Sequence, residues 1–128
     1  MKARLSKEAA GIIIPKIEIV GPFGAMQVNM ILDTGAAYTM IDRTTVEKVG
    51  YKSGSVVKKV QIVTANGKIW VPFVYIQRIA VEDVSVHHIP AIIHDIPGAV
   101  DIEGLLGLSF LKHFRTVIDY HKLTLHIA

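Results

Sequence analysis

The chain has 128 residues, 51% of them apolar and 20% charged, with no cysteine and a formal charge of +3. That length suits one domain with its own core, and the composition excludes an intrinsically disordered chain. The lack of cysteine excludes a disulfide framework and any Cys-ligated zinc or iron–sulfur centre. The basic residues are scattered (Lys2, Arg4 and Lys7, then Lys58 and Lys59, then Lys112 and Arg115), without interleaved aromatics. They read as a solvated surface, and no nucleic-acid partner is expected. The first apolar run, Ile12–Ile14, is stopped by Pro15 and is too short for a signal-peptide core. No run approaches the roughly 20 residues of a membrane-spanning helix. The expectation is a soluble, cytoplasmic protein with no membrane partner.

In chain order, residues 1–11 are polar and Ala-rich and read as an N-terminal arm, a short helix or a loose segment; the domain is taken as 12–128. Ile13, Ile17 and Ile19 share one parity against Lys16 and Glu18, which predicts a strand with one wet face. Gly21-Pro22-Phe23-Gly24 is a turn, and Met26, Val28, Met30 and Leu32 alternate into a second strand hairpinned to the first. After Asp33-Thr34-Gly35, Tyr38–Ile41 predicts a short strand. Asp42 reads as the N-cap of a helix over Arg43–Val49, stopped by Gly50. Ser55–Thr64 is rich in Val and Ile, Asn66-Gly67 signals a hairpin, and Ile69–Val81 returns as its partner. Pro72 within that return predicts an edge or a bulge. Glu82-Asp83 is a turn, and Val84–Ile93 is strand material broken by Pro90. His94–Glu103 reads as a loop. Gly104-Leu105-Leu106-Gly107 precedes a helix over Leu108–Phe114, and Thr116–Asp119 and Leu123–Ile127 form a last hairpin around Tyr120-His121-Lys122. The whole is an all-β domain with short helices.

Two features carry candidate chemistry. Asp33 directly follows an apolar strand, so its carboxylate stands at the edge of a core. Gly35 permits a tight turn whose amides can donate to that carboxylate, and the Thr34 hydroxyl can bridge to another backbone. Alone, the tripeptide is also what a strand-ending Asx turn looks like. Gly104-Leu105-Leu106-Gly107-Leu108 alone is an ordinary packing turn. Their joint occurrence on an all-β chain turns the balance toward a site.

Ile31-Leu32-Asp33-Thr34-Gly35-Ala36 resembles the active-site motif of retropepsin-like aspartic peptidases. Leu105-Leu106-Gly107 is similar to that family's hydrophobic-hydrophobic-Gly motif, and the Asn66-Gly67 hairpin sits where the family carries its flap. Gly104–Phe110 with Phe114–Tyr120 looks more like cellular, bacterial-type members than viral ones. The resemblance spans roughly residues 17–127. It implies a closed, orthogonal β-barrel-like acid-protease fold with a flap hairpin and one or two short helices. It implies catalysis by Asp33, an active-site loop of Thr34, Gly35 and Ala36, and substrate contacts at Ala65, Asn66, Gly67, Leu105 and Leu106, with Ile69 a further cleft liner. Viral members pair an acidic residue after the first motif with an arginine after the second. Here Ala37 and Leu108 stand there, so the dimer contact is expected to rest on terminal strands such as Leu123–Ile127.

Aspartic-peptidase chemistry needs two carboxylates about one water. Asp42, Asp83, Asp95, Asp101 and Asp119 all lack the Asp-Thr/Ser-Gly motif. The second carboxylate must come from Asp33 of another copy across a two-fold axis. The expected protein is a homodimeric endopeptidase acting on extended peptides, with no cofactor. Trp70 reads as strand packing, with substrate cover as its other possible role. The six histidines show neither an i,i+4 helical pair nor a His-Glu-x-x-His pattern, and His87-His88 would point to opposite faces of a strand. They read as surface residues, and no metal is expected. The competing reading is a non-catalytic dimerisation or peptide-binding module on the same fold.

Overall fold

The fold is that of a computed structural model, which describes residues 2–8, 11–52, 58–96 and 101–128. Strand β1 (Lys2–Arg4) and strand β2 (Ser6–Glu8) replace the helix or loose segment expected there. Ala3 and Leu5 alternate with Lys2 and Arg4 and are 3% and 5% exposed, a period-two pattern too short to stand out in the sequence. Residues 1, 9 and 10 of that segment lie outside the described residues.

Strands β3 (Gly11–Gly21) and β4 (Gly24–Leu32) form the expected hairpin. Their register shifts between Ile14 and Ile17, where Pro15 and Lys16 (φ 57°) make a bulge. The bulge switches the inward parity, so Ile14 and Ile17 are both fully buried. Strand β5 (Thr39–Ile41) leads to α1 (Arg43–Lys48), whose first turn is capped by Asp42 accepting the Thr45 N–H at 2.9 Å.

Strands β6 (Lys58–Thr64) and β7 (Gly67–Val81) pair through a two-residue turn, Ala65-Asn66. The first strand was expected from Ser55, but 55–57 lie outside the described residues. Pro72 sits one residue beyond the β7 ladder with β8 (Val84–Ile93), in the stretch where β7 pairs with β6 alone. That local edge meets the expectation for proline. The second proline expectation fails, because β8 runs through Pro90 unbroken. The parallel β5–β8 ladder starts only at Ala91, so among the described residues no second strand flanks Pro90.

The rest of the chain forms β9 (Gly104–Leu106), α2 (Leu108–Leu111), β10 (Thr116–Asp119) and β11 (Thr124–Ile127). Helix α2 is shorter than the expected 108–114. The turn after it brings Phe114 back onto Phe110, ring centroids 5.3 Å apart. Residues 97–100 of the expected 94–103 loop lie outside the described residues.

The larger sheet has the order β2-β3-β4-β9-β5-β8-β7-β6, with β7 also pairing to β3. That last ladder closes β3, β4, β9, β5, β8 and β7 into a barrel, from which the β6–β7 hairpin projects. Isoleucines such as Ile17, Ile19, Ile76, Ile79 and Ile89 fill the barrel without exposed surface. A three-stranded sheet, β1-β11-β10, packs beside it through Leu125 and Ile127.

Candidate active site

Strand β9 lies between the two strands that bracket the Asp33 loop. It runs parallel to β4, with Ile31 opposite Leu105 and Leu32 opposite Leu106, and antiparallel to β5, with Met40 opposite Leu105. The loop 33–38 therefore arches over the end of β9 and is pinned from below. The Asp33 N–H donates to the Leu106 carbonyl at 3.0 Å, and the Leu108 N–H to the Ala36 carbonyl at 2.8 Å. The Gly107 N–H donates to Thr39 Oγ1 at 3.2 Å, and the Thr39 N–H to Ser109 Oγ at 2.8 Å. Glycine at 107 is a steric requirement: a Cβ there would lie 2.6 Å from the Tyr38 carbonyl oxygen and 2.7 Å from that of Ala36. The second motif is thus the floor of the first.

Within the loop, the Gly35 N–H donates to Asp33 Oδ1 at 2.9 Å and the Ala36 N–H to the Asp33 carbonyl at 3.3 Å. The first bond fixes one carboxylate oxygen and leaves the other for a substrate or water. Asp33 is half-buried; Thr34 and Gly35 are exposed. The Thr34 hydroxyl has no hydrogen-bond partner among the described residues.

A groove of about 430 Å³ runs beside the loop, with Ala36, Tyr38, Met40 and Leu105 on one side and Ile62 and Val63 of the hairpin on the other. Asp33 and Thr34 lie outside its lining. The pleat of β9 separates the two leucines of the second motif: Leu105 faces the groove, whereas Leu106 is fully buried in the main core. Ile69, Ala65, Asn66 and Gly67 are also absent from the lining. Tyr38, Met40, Ile62 and Ile92 line the groove and were not foreseen. Only the alternation in β6 hinted at Ile62; the others depend on strand pairings between distant segments.

The hairpin has two faces. Val60, Ile62, Ile69 and Val71 form the inner one and pack with Met40 and Ile92 in a small second core. The outer face pairs Lys59 with Pro72, Gln61 with Trp70 and Val63 with Lys68. At the tip, Ala65, Asn66 and Gly67 are exposed, and Gly67 has φ 114°. Thr64 Oγ1 braces it, accepting the Asn66 N–H at 3.2 Å and donating to the Gly67 carbonyl at 2.9 Å. Trp70 is 65% exposed on the outer face, so it neither packs nor covers the groove.

All six histidines are exposed, and His88 stacks on Tyr75 with centroids 4.4 Å apart. The expected alternation of His87 and His88 gives way because His88 takes φ 53°. Among the described residues no His, Asp and Glu side chains cluster as a metal site, and no helix is long and apolar enough to cross a membrane.

The family model described as "gag-polyprotein putative aspartyl protease" matches residues 21–113. That match takes in the Asp33 loop, the hairpin and the Leu-Leu-Gly floor. No curated protein matches the chain. A crystal structure of a retropepsin-like aspartic protease from Rickettsia conorii aligns with a TM-score of 0.69 and 21% identity, covering 100% of this chain and 98% of that one. At that identity the likeness establishes the fold. The pinned Asp-Thr-Gly loop, the hairpin above it and the family match agree: this chain belongs to the gag-polyprotein aspartyl protease family, of the retropepsin-like kind.

Proposed function

We propose that this chain is one half of an aspartic endopeptidase, completed by a second copy that brings its own Asp33 to a shared two-fold axis. The observation that carries the reading is a half-site: one Asp-Thr-Gly loop, rigidly pinned, beside a groove that leaves Asp33 out of its lining. A second loop across the axis would supply the missing wall and the second carboxylate. The two carboxylates would share one proton and hold a water between them. One takes the water's proton as it attacks the scissile carbonyl, and the other protonates the carbonyl oxygen. Such a pair titrates as a unit, which predicts a bell-shaped dependence of rate on pH.

The exposed Thr34 hydroxyl, without a hydrogen-bond partner among the described residues, would bond across the axis. Leu108, 41% exposed beside the loop, offers an apolar contact where viral relatives carry an arginine. The terminal strand needs a different role from the one expected. Strand β11 already has β1 on one edge and β10 on the other, so it has no free edge for a second copy. Contact through it would use the sheet's outer face or an exchange of β1 between copies.

The groove favours apolar substrate side chains, because Tyr38, Met40, Ile62, Ile92 and Leu105 line it. The flap tip, Ala65 to Gly67, would close over an extended peptide with backbone hydrogen bonds. A reducing, cytoplasmic setting is part of this proposal, and cell fractionation checks it. The enzyme reading is tested by measuring solution mass together with digestion of a peptide library, with and without a statine-type transition-state mimic. A dimer whose cleavage the mimic blocks supports it. A strict monomer that cleaves sinks the shared-axis mechanism, and a dimer that binds the mimic without cleaving is a peptide-binding module.

A further inference from the structure

Trp70 is the chain's sole tryptophan, and the catalytic reading gives it no work. It is 65% exposed on the flap's outer face, where an indole would normally be covered. Beside it lies a second groove of about 310 Å³, on the opposite edge of the hairpin from the catalytic one, bordered by Trp70, Pro72, Arg43, His94 and Asp95.

The backbone here is open. The β7–β8 ladder stops at Phe73 opposite Ile92, so from Gly67 to Pro72 strand β7 pairs with β6 alone. Its other edge takes no backbone hydrogen bond among the described residues. Unpaired N–H and C=O groups in a row form a template for an added strand. The charges select the kind of strand. Lys59 and Lys68 share the outer face with Trp70, and Arg43 reaches the groove from the start of α1. The Arg43 guanidinium has no ion-pair partner among the described residues. The one acid in the groove, Asp95, already accepts the Arg43 backbone N–H at 3.1 Å. Tryptophan and arginine are among the residue types enriched where binding energy concentrates in protein interfaces.

We propose that the free edge of β7 between Gly67 and Pro72, with Trp70 and Arg43 beside it, is a second peptide-docking site that receives an acidic, extended segment of a partner protein by strand addition. The partner's backbone pairs with β7, an apolar side chain covers Trp70, and a carboxylate meets Arg43. The catalytic groove lies along β6, on the other side of the ribbon, so both sites can be filled at once. This goes beyond the peptidase reading and stands without it.

Trp70 is its own reporter. The full chain carrying Asp33→Asn, which prevents cleavage, is titrated with an acetylated and amidated Thr-Val-Glu-Val-Glu-Val-Thr peptide while indole emission is followed. The emission is expected to move to the blue and saturate. The counterpart with lysine for glutamate should bind at least about tenfold more weakly, as should the acidic peptide with alternate backbone amides N-methylated. Arg43→Gln, an exposed change at the helix start, should weaken the acidic peptide severalfold. A saturating statine-type mimic should leave the shift in place.

No emission change, equal binding of the lysine or N-methylated peptide, or displacement by the mimic would each overturn the proposal. It also fails if the free protein already emits as a buried indole, since a second copy would then cover this face. None of these readouts depends on hydrolysis, so a chain that cleaves nothing can still pass.

Discussion

The Asp33 loop and the β6–β7 hairpin, the proposed flap, face each other across one groove and are held in different ways. Residues 33–38 receive or give backbone hydrogen bonds at Asp33 and Ala36, rest on Gly107 without room for a methyl group, and are braced from below by Thr39 and Ser109. The hairpin, 58–72, is a two-stranded ribbon whose outer edges pair with no further strand among the described residues, anchored by the small core of Met40, Val71 and Ile92. The first arrangement fixes a carboxyl group in place, as taking a proton from a bound water would require in the proposed mechanism. The second concentrates low local stability in the part that would have to lift if the proposed flap is to admit a peptide. The largest expected effect therefore falls on the loop and should be purely chemical. Asp33→Asn keeps the Gly35 bond, so the fold and its thermal midpoint should persist while peptide hydrolysis drops at least about 10³-fold. Wild-type turnover by the purified variant would remove Asp33 from the mechanism.

Two glycine substitutions bring the same contrast into stability. Gly107→Ala drives a methyl group against the Ala36 and Tyr38 carbonyls, atoms that cannot rotate away. Overpacking of this kind costs about 1–3 kcal/mol, and the loop should shift with it, lowering kcat as well. Gly67→Ala meets nothing within 4 Å. Only the backbone at φ 114° resists, at an exposed tip that can relax. Its effect should appear in KM before it appears in a urea midpoint. If Gly67→Ala destabilised the protein more than Gly107→Ala, the flap would be the rigid partner.

What was legible in the sequence follows the same division. The hairpin strands and Asp42 as a cap are local signals that appear where their chemistry puts them, and the Asn66-Gly67 signal finds its hairpin with the turn one residue earlier, at Ala65-Asn66. The Asp33 loop was legible because a tight turn after an apolar strand writes itself into consecutive residues. The insertion of β9 between β4 and β5 was not, since it joins segments about 70 residues apart and no periodicity in Gly104-Leu105-Leu106 announces it. For the same reason Met40 and Ile92 were missed as groove residues and Leu106 was taken for one. One proline misled in the other direction: Pro90 reads as a strand breaker until the β5–β8 ladder is seen to begin one residue later.

A smaller effect probes the flap's anchor. Val71 is 3% exposed beneath the hairpin, and Val71→Ala should cost about 1–2 kcal/mol. Because its partners are few, the loss should be local. Native-state amide exchange should quicken across 58–72 and stay unchanged at Asp33 and Ala36. Equal acceleration at both places would mean that flap and loop open as one unit.

The smallest expected effect lies at the barrel end of β7, the strand that also forms the flap. The Tyr51 hydroxyl accepts the Gln77 N–H at 2.8 Å. Burial pushes the phenol above its ordinary value of 10.0, and the bond from Gln77 opposes the shift. A raised value means the folded chain favours the neutral phenol. The associated stability is therefore complete below pH 10 and is lost as pH rises through the folded value. Tyr51→Phe removes an acceptor from one amide and should cost about 1 kcal/mol at neutral pH. It should also remove this residue's share of the alkaline loss, so wild type and variant converge in urea midpoints above pH 10. Peptide turnover should not change, because the substitution touches the barrel and leaves the pinned loop and the flap's small core as they are. A drop in turnover with unchanged stability would show that the barrel end of β7 sets the flap's position, and the two regions would then have to be treated as one mechanical unit.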